Sequence, residues 1–253
     1  MARINKTLSE PIVLSLNGMT ARRRKSLIEA HIPFVVADSQ IYLPFMGVSL
    51  TERYSAEKPP SAKLMPSSQL LLFYFIYHDT LELYTNGLEK KLDLSAMQIS
   101  RAVRQLKLLG LVDVKKDKVQ TVMFCTKVRR DLYEAAKPYL INPVRKRIYV
   151  EYDVVPIGLP YSGVSALAER TILNSPMAKT FAFCGTLDKI SGTDILVDSD
   201  EQAEIEIWRY SPTILSKDIN IVDTLSLATS LLETIDERVE QAVDCLLTDL
   251  WGD

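Results

Sequence analysis

Residues 85–126 read TNGLEKKLDLSAMQISRAVRQLKLLGLVDVKKDKVQTVMFCT. A short helix is expected over NGLEKKL with Thr85 as its N-cap, because threonine oxygen can accept a free N–H of the first turn. Asp93-Leu94-Ser95 reads as a turn. Ser95 then caps a longer helix that ends at Gly110, the residue type that best tolerates the left-handed C-terminal position. At 100° per residue, Ile99, Ala102, Val103, Leu106 and Leu109 form one apolar stripe, which must face a core. Met97, Arg101 and Arg104 point the other way, flanked by Gln98, Ser100 and Gln105. Leu108 also falls outward, against the pattern. Beyond Gly110, Leu111 to Val114 and Val119 to Phe124 have β character around the turn Lys115-Lys116-Asp117-Lys118.

Helix, turn, helix and basic hairpin, in that order, give the layout of a winged helix-turn-helix. The outward set has the chemistry of a double-stranded DNA reader. Arginine can bond guanine edges twice, glutamine can do so with adenine, and serine suits a base or a phosphate. Lysines at the hairpin suit phosphate contact. The expected DNA-binding residues are therefore Met97, Gln98, Ser100, Arg101, Arg104, Gln105, Lys115, Lys116 and Lys118.

The charge distribution agrees. The net charge of −2 over 253 residues conceals 24 Lys+Arg against 13 Asp+Glu in residues 1–150, and 6 against 19 in residues 151–253. A basic front half suits a polyanion, and an acidic back half has another task.

The motif LEKKLDLSAMQISRAVRQLKLLGLVDV resembles the helix-turn-helix of MarR-like bacterial winged-helix regulators. The shared features are Leu-Ser at the turn, Ser-Arg-Ala on the second helix and Leu-Gly-Leu-Val entering the hairpin. The likeness covers roughly residues 64–135. It implies that Gln98, Ser100, Arg101 and Arg104 lie where bases and backbone are contacted, and that Lys116 and Lys118 lie on the wing. Dimerisation is usual in that family.

Before this domain, PIVLSL (11–16) reads as a strand and Asn17-Gly18 as a turn. Thr20 reads as the cap of a helix through ARRRKSLIEAH, and PFVVADSQIYLP as two further strands. Arg22-Arg23-Arg24-Lys25 reads as a solvated helix face rather than a phosphate contact. Residues 51–66 are polar and proline-bearing, and read as a linker. Pro66 opens a helix whose following residues, SSQLLLFYFIYHDT, are apolar almost all round, so it is buried on several sides, or shared with a second copy. After the hairpin, KVRRDLYEAAK (127–137) reads as a helix. The expected fold class is α+β, with a winged helix-turn-helix at 67–137 between a small α/β unit (1–50) and an acidic α+β domain (149–253). Residues 138–148 are expected to link them.

In the acidic half, RIYVEYDVV, TFAFC and EIEIWR read as strands, SALAERTILN as a helix, and 223–234 and 236–251 as closing helices. Asp194, Glu204 and Glu206 raise the option of a metal-dependent nuclease, but no lysine stands beside Glu204 or Glu206. No Cys/His cluster has zinc spacing, with Cys125, Cys184 and Cys245 scattered and only His31 and His78 present. No enzyme, cofactor or metal site is expected. The segment SGVSALAERTILNSPMAKTFAFCG is similar to the start of the C-terminal domain of AbiEi-type antitoxins. That resemblance implies an alternative: autoregulation by DNA binding, with the acidic half neutralising a nucleotidyltransferase toxin of a type IV pair. The scattered cysteines and the absence of a leader-like or membrane-length apolar run lead us to expect a cytoplasmic protein. One short recognition helix rarely gives useful specificity alone, so a homodimer is expected, with a protein partner at the acidic domain as the second option.

Overall fold

A computed structural model describes residues 12–16, 21–36, 40–46, 48–51, 63–118, 120–186, 192–234 and 236–252. The chain is a mixed α+β protein with small sheets. It divides into two compact units, Met1–Ser61 and Ala62–Asp253.

The first unit holds β1 (Leu14–Leu16), α1 (Ala21–Glu29), β2 (Phe34–Val36), β3 (Gln40–Leu43) and β4 (Val48–Thr51), with sheet order β1-β2-β3-β4. β1 and β2 run parallel, Leu14 opposite Phe34, so their connection must cross over, and α1 makes that crossover. The other pairs are antiparallel. Phe34 is fully buried and packs its ring on Tyr42, 5.6 Å away. α1 stops where expected: His31 is left-handed (φ 50°), and the Ile32 N–H returns to the Leu27 carbonyl at 2.9 Å. The basic run 22–25 lies on α1. β4 is an addition to the strands read from sequence. Asn17-Gly18, Thr20 and the stretch 37–39 between the two further strands lie outside the described residues.

The second unit begins with α2 (Pro66–His78), then β5 (Glu82–Tyr84), α3 (Leu88–Leu92), α4 (Ala96–Leu108), β6 (Asp113–Asp117), β7 (Gln120–Phe124) and α5 (Arg129–Ala136). β7 pairs antiparallel with both β5 and β6, giving the order β5-β7-β6. β5 was not read from sequence. It continues with β8 (Val144–Glu151), α6 (Gly163–Ala168), β9 (Thr180–Phe183), β10 (Gln202–Trp208), α7 (Thr224–Ser230) and α8 (Glu237–Trp251). Central β10 is antiparallel to β8 and parallel to β9.

The expected linker at 138–148 is not a break. One hydrophobic core runs from Leu64 through α2, α4 and α5 to Leu247 on α8. α2 explains why. Ser68 to Ile76 are all buried, nine consecutive residues, so every face of the helix needs cover. α4 and α5 pack on it, and α5 is in turn tied to the acidic half, with Phe73 against Tyr133 and Tyr133 against Trp251 at ring separations of 6.4 and 5.7 Å. Gln69, 0% exposed, closes a pair of bonds with the Ile141 backbone: it accepts the N–H at 2.8 Å and donates to the carbonyl at 2.9 Å. Ile141, inside the stretch expected to link, is thus pinned to α2. The strand read as Arg147–Val155 begins earlier, at Val144. It gives way to a 3-10 turn at Tyr152–Val154 before Pro156, so Arg145-Lys146-Arg147 sits on β8 rather than in a linker.

Candidate nucleic-acid interface

α4 is set by its own sequence at both ends. Ser95 Oγ accepts the Gln98 N–H at 3.3 Å, and Gln98 Oε1 accepts the Ser95 N–H at 2.8 Å, a reciprocal capping box. At the other end Gly110 is left-handed (φ 66°). Its N–H reaches the Lys107 carbonyl, and the Leu111 N–H reaches the Leu106 carbonyl, both at 3.0 Å. That is a Schellman closure, with Leu111 and Leu106 both buried beneath it. The preceding turn bends at Asp93, also left-handed (φ 50°). Thr85 does not cap α3. Gly87 holds that position, and Thr85 Oγ1 instead donates to the Thr121 carbonyl at 3.1 Å, tying the turn to β7.

The apolar stripe is buried as its spacing requires: Ile99, Ala102, Val103 and Leu106 face the core. Met97, Ser100, Arg101, Arg104, Lys107 and Leu108 are exposed. At 100° per residue they occupy one arc of roughly 120°. Arg101 has no ion pair among the described residues. Met97 is 63% and Leu108 42% exposed, so the exposed face is cationic with an apolar residue near each end of the helix. Lys107 belongs to this arc and was missed, although its helical angle announces it.

Two glutamines expected in the outward set are engaged elsewhere. Gln98 is exposed and spends its side-chain oxygen on the capping box that holds α4. Gln105 is buried. Its Oε1 accepts the Met65 N–H at 2.9 Å and its Nε2 donates to the Lys63 carbonyl at 3.1 Å, which fastens the lead-in to α2 onto α4. A buried amide must satisfy its polar atoms internally, and here backbone supplies both partners.

In the hairpin the three lysines separate. Lys115, on β6, pairs with Glu82 of β5 at 2.5 Å and lies 5.5 Å from the centre of the Phe124 ring, so its charge is largely answered within the sheet. Lys116 and Lys118 are exposed, with no charged partner among the described residues. Lys118 sits at the tip in the left-handed region (φ 54°). Tyr84 donates its hydroxyl to Asp117 at 3.2 Å, bracing the tip from β5.

The carboxylates weighed as nuclease ligands are placed differently. Glu204 and Glu206 share one face of β10, while Ile205 turns into the small core with Ile148 and Val150. Glu206, 1% exposed, accepts from Arg147 at 2.9 and 3.1 Å, from Trp208 Nε1 at 3.2 Å, and from the buried Ser162 hydroxyl. Glu204 accepts from Thr180 at 3.0 Å. Burial, and the Glu206 charge beside it, push its carboxyl above the ordinary range. Asp194 pairs with Lys146 at 3.0 Å. These groups are consumed by an arginine clamp and hydrogen bonds. Among the described residues no three His, Cys, Asp or Glu side chains are gathered as a metal ion would need.

No protein-family description, no curated protein and no solved structure matches this chain. Among the described residues, no helix is long and apolar enough to cross a membrane.

Proposed function

We propose that α2 to α5 form a winged helix-turn-helix and that the protein is a sequence-specific DNA-binding transcriptional regulator. The observation that carries this reading is the two-faced α4. It is closed at both ends, buried along its apolar stripe, and exposes Ser100, Arg101 and Arg104 beside a hairpin bearing Lys116 and Lys118. A rigid helix offering arginines on an open face can lie in a major groove, where bidentate arginine contacts discriminate guanine. The exposed Met97 can meet a thymine methyl. The hairpin lysines neutralise phosphate and contribute affinity without sequence preference. A single short recognition helix reads few bases, so we propose a homodimer. α2 is already covered by its own chain, so the second copy would pack on another surface.

The acidic half serves regulation or a partner in this reading. The antitoxin resemblance rests on Ser165, Ala166 and Leu167 and on the strand Thr180 to Cys184. Ser165 to Leu167, Thr180 and Ala182 are buried, Phe181 and Phe183 are half-buried, Cys184 is exposed, and Ser165 Oγ accepts the Thr180 N–H at 2.9 Å. Most of them serve the packing of α6 on β9, so the regulator reading is preferred. The test is selection of bound duplexes from a random pool at stated salt, followed by gel shift with Arg101→Ala and Arg104→Ala. If both variants bind the selected duplex as the parent does, the assignment of α4 fails.

A further inference from the structure

We infer that an acidic, aliphatic patch on the second unit docks onto the exposed face of α4 in another copy of this chain, so that self-association and DNA compete for one helix. The competition rests on the reading of α4 as the DNA-facing helix. Two features that DNA recognition leaves over point to the contact: the outward Leu108 and the acidic charge of the back half.

The helix side is a single stripe. At 100° per residue, Met97, Arg101, Arg104 and Leu108 fall within about 60° of one another, and all four are exposed. A recognition helix meets base edges with its N-terminal residues. Leu108 closes the C-terminal end of α4 and has no base edge to meet. A protein surface that sets apolar groups among carboxylates would use the whole stripe.

The patch lies where three segments meet at Tyr152. Its N–H donates to the Glu201 carbonyl at 3.1 Å, and its hydroxyl donates to the Met177 carbonyl at 3.0 Å and accepts the Lys179 N–H at 2.8 Å. Gln202 Oε1 accepts the Val197 N–H at 2.8 Å, and Thr193 exchanges two backbone bonds with Tyr149 of β8. On this fixed backbone Val154, Met177, Ile195 and Val197 stand exposed, Val197 by 81%. Glu151, Asp153, Asp198, Asp200 and Glu201 are exposed on the same segments and have no ion pair among the described residues. Asp194 answers Lys146 at 3.0 Å, which leaves Lys179, held by the Ser175 hydroxyl, as the one cation of these segments among the described residues. Aliphatic groups among open carboxylates complement arginines set between two apolar residues, and opposite charge steers the encounter. Both surfaces are exposed within one compact unit, so they can meet only between copies, as a head-to-tail contact.

Two full-length variants separate the surfaces. Arg101→Glu spoils the helix face and keeps the patch. Val197→Ser with Asp200→Lys and Glu201→Lys spoils the patch and keeps the face. The labelled face variant is titrated with the patch variant, and each variant with itself, by fluorescence anisotropy at low salt without DNA. The mixed pair is expected to associate about tenfold or more tightly than either variant with itself, and to weaken as salt rises. A homodimer through any other surface would form equally in all three titrations. Equal affinity in all three, no association of the mixed pair, or an affinity indifferent to salt would each overturn the contact. A duplex bound by the patch variant is expected to displace the face variant, and a stable ternary complex would overturn the competition. If the patch variant binds no duplex at all, the DNA reading of α4 fails, while the mixing titration still decides the contact.

Discussion

The Tyr77 hydroxyl donates to Asp223 Oδ1 at 2.9 Å and accepts the Leu225 backbone N–H at 2.8 Å, so the last turn of α2 and the first turn of α7 share one hydrogen-bond centre. Burial pushes the Asp223 carboxyl above the ordinary carboxylate range, the Ser226 and Tyr77 donors offsetting only part of that rise. The Tyr77 phenol is raised well above its usual value, by burial first and then by the Asp223 charge. Tyr77→Phe removes a donor and an acceptor at once and leaves the Leu225 N–H without its partner. It is expected to cost about 1–3 kcal/mol in denaturant unfolding, with the loss shared by α2 and α7 rather than confined to one of them.

The same centre sets a pH dependence. A carboxyl whose folded pKa exceeds its unfolded value of about 3.9 binds its proton more tightly in the folded state. Its contribution is complete below the unfolded value and is lost as pH rises through the folded one. Asparagine caps helices as well as aspartate does and can accept the same two hydrogen bonds. Asp223→Asn is therefore expected to match the parent at low pH and to become the more stable of the two as pH rises through that window. Parallel urea titrations across the acid range read this directly. A variant that loses stability relative to the parent with rising pH would contradict it.

Arg147 and Glu206 provide a sharper electrostatic test. Arg147 is the only cation on Glu206 among the described residues, while Trp208 and Ser162 supply neutral donors. Arg147→Met leaves a carboxylate that is 1% exposed without a counter-charge. Breaking a fully buried pair costs about 3–5 kcal/mol; with the Arg147 side chain 44% exposed, the expected loss lies below that range. The deficit should shrink when Arg147→Met is made in a Glu206→Gln background, where no buried charge is left. An equal deficit in that background would show that lost packing of the arginine stem, not charge, is responsible.

What could be read in advance follows from how local each feature is. α4 was legible because its determinants lie within it: Ser95 with Gln98, Gly110 with Leu106 and Leu111, and an apolar stripe at helical spacing. α2 was legible as buried, from its lack of a polar face, but not as the element joining both halves. That role rests on Gln69 meeting Ile141 and on Tyr77 meeting Asp223, partners 72 and 146 residues away. Gln105 was misplaced for the same reason. It sits at the edge of the outward arc, and only the return of Lys63 and Met65 across it makes that edge interior. β5 is three residues long, too short for alternation to declare itself. The basic cluster Arg145-Lys146-Arg147 falls in the stretch expected to be a linker. Its pairing with Asp194, Glu204 and Glu206 depends on β8 lying beside β10.

Gln98 and Arg101 separate holding α4 from using it. Gln98→Ala breaks half of the capping box and should lower stability by about 0.5–2 kcal/mol, the range for lost N-terminal caps. Its DNA preference should be unchanged once folding is complete. Arg101→Ala, at an exposed site without an ion pair among the described residues, should leave unfolding within about 0.5 kcal/mol of the parent. Chemical denaturation and duplex binding measured on the same preparations distinguish the two. Base preference altered by Gln98→Ala alone would return that residue to the interface.

The hairpin and the helix are expected to differ in how salt affects them. Lys116→Gln and Lys118→Gln each remove a phosphate contact in the proposed complex. Each should lower the magnitude of the slope of log K against log salt by about one, with binding weakened evenly across sequences. Arg101→Ala and Arg104→Ala should instead cost about 1–3 kcal/mol on the preferred duplex and relax the choice of base at one position each. Lys115→Gln is the internal control. Its charge is answered by Glu82 in the free protein, so the expected change in salt slope is smaller than for its two neighbours. Fluorescence anisotropy of the selected duplex and of a scrambled one, each across a salt series, measures all five variants. If the arginine variants lose affinity equally for both duplexes, the arginines contact only phosphate, and the reading of α4 as a base-recognition helix fails while DNA binding itself survives.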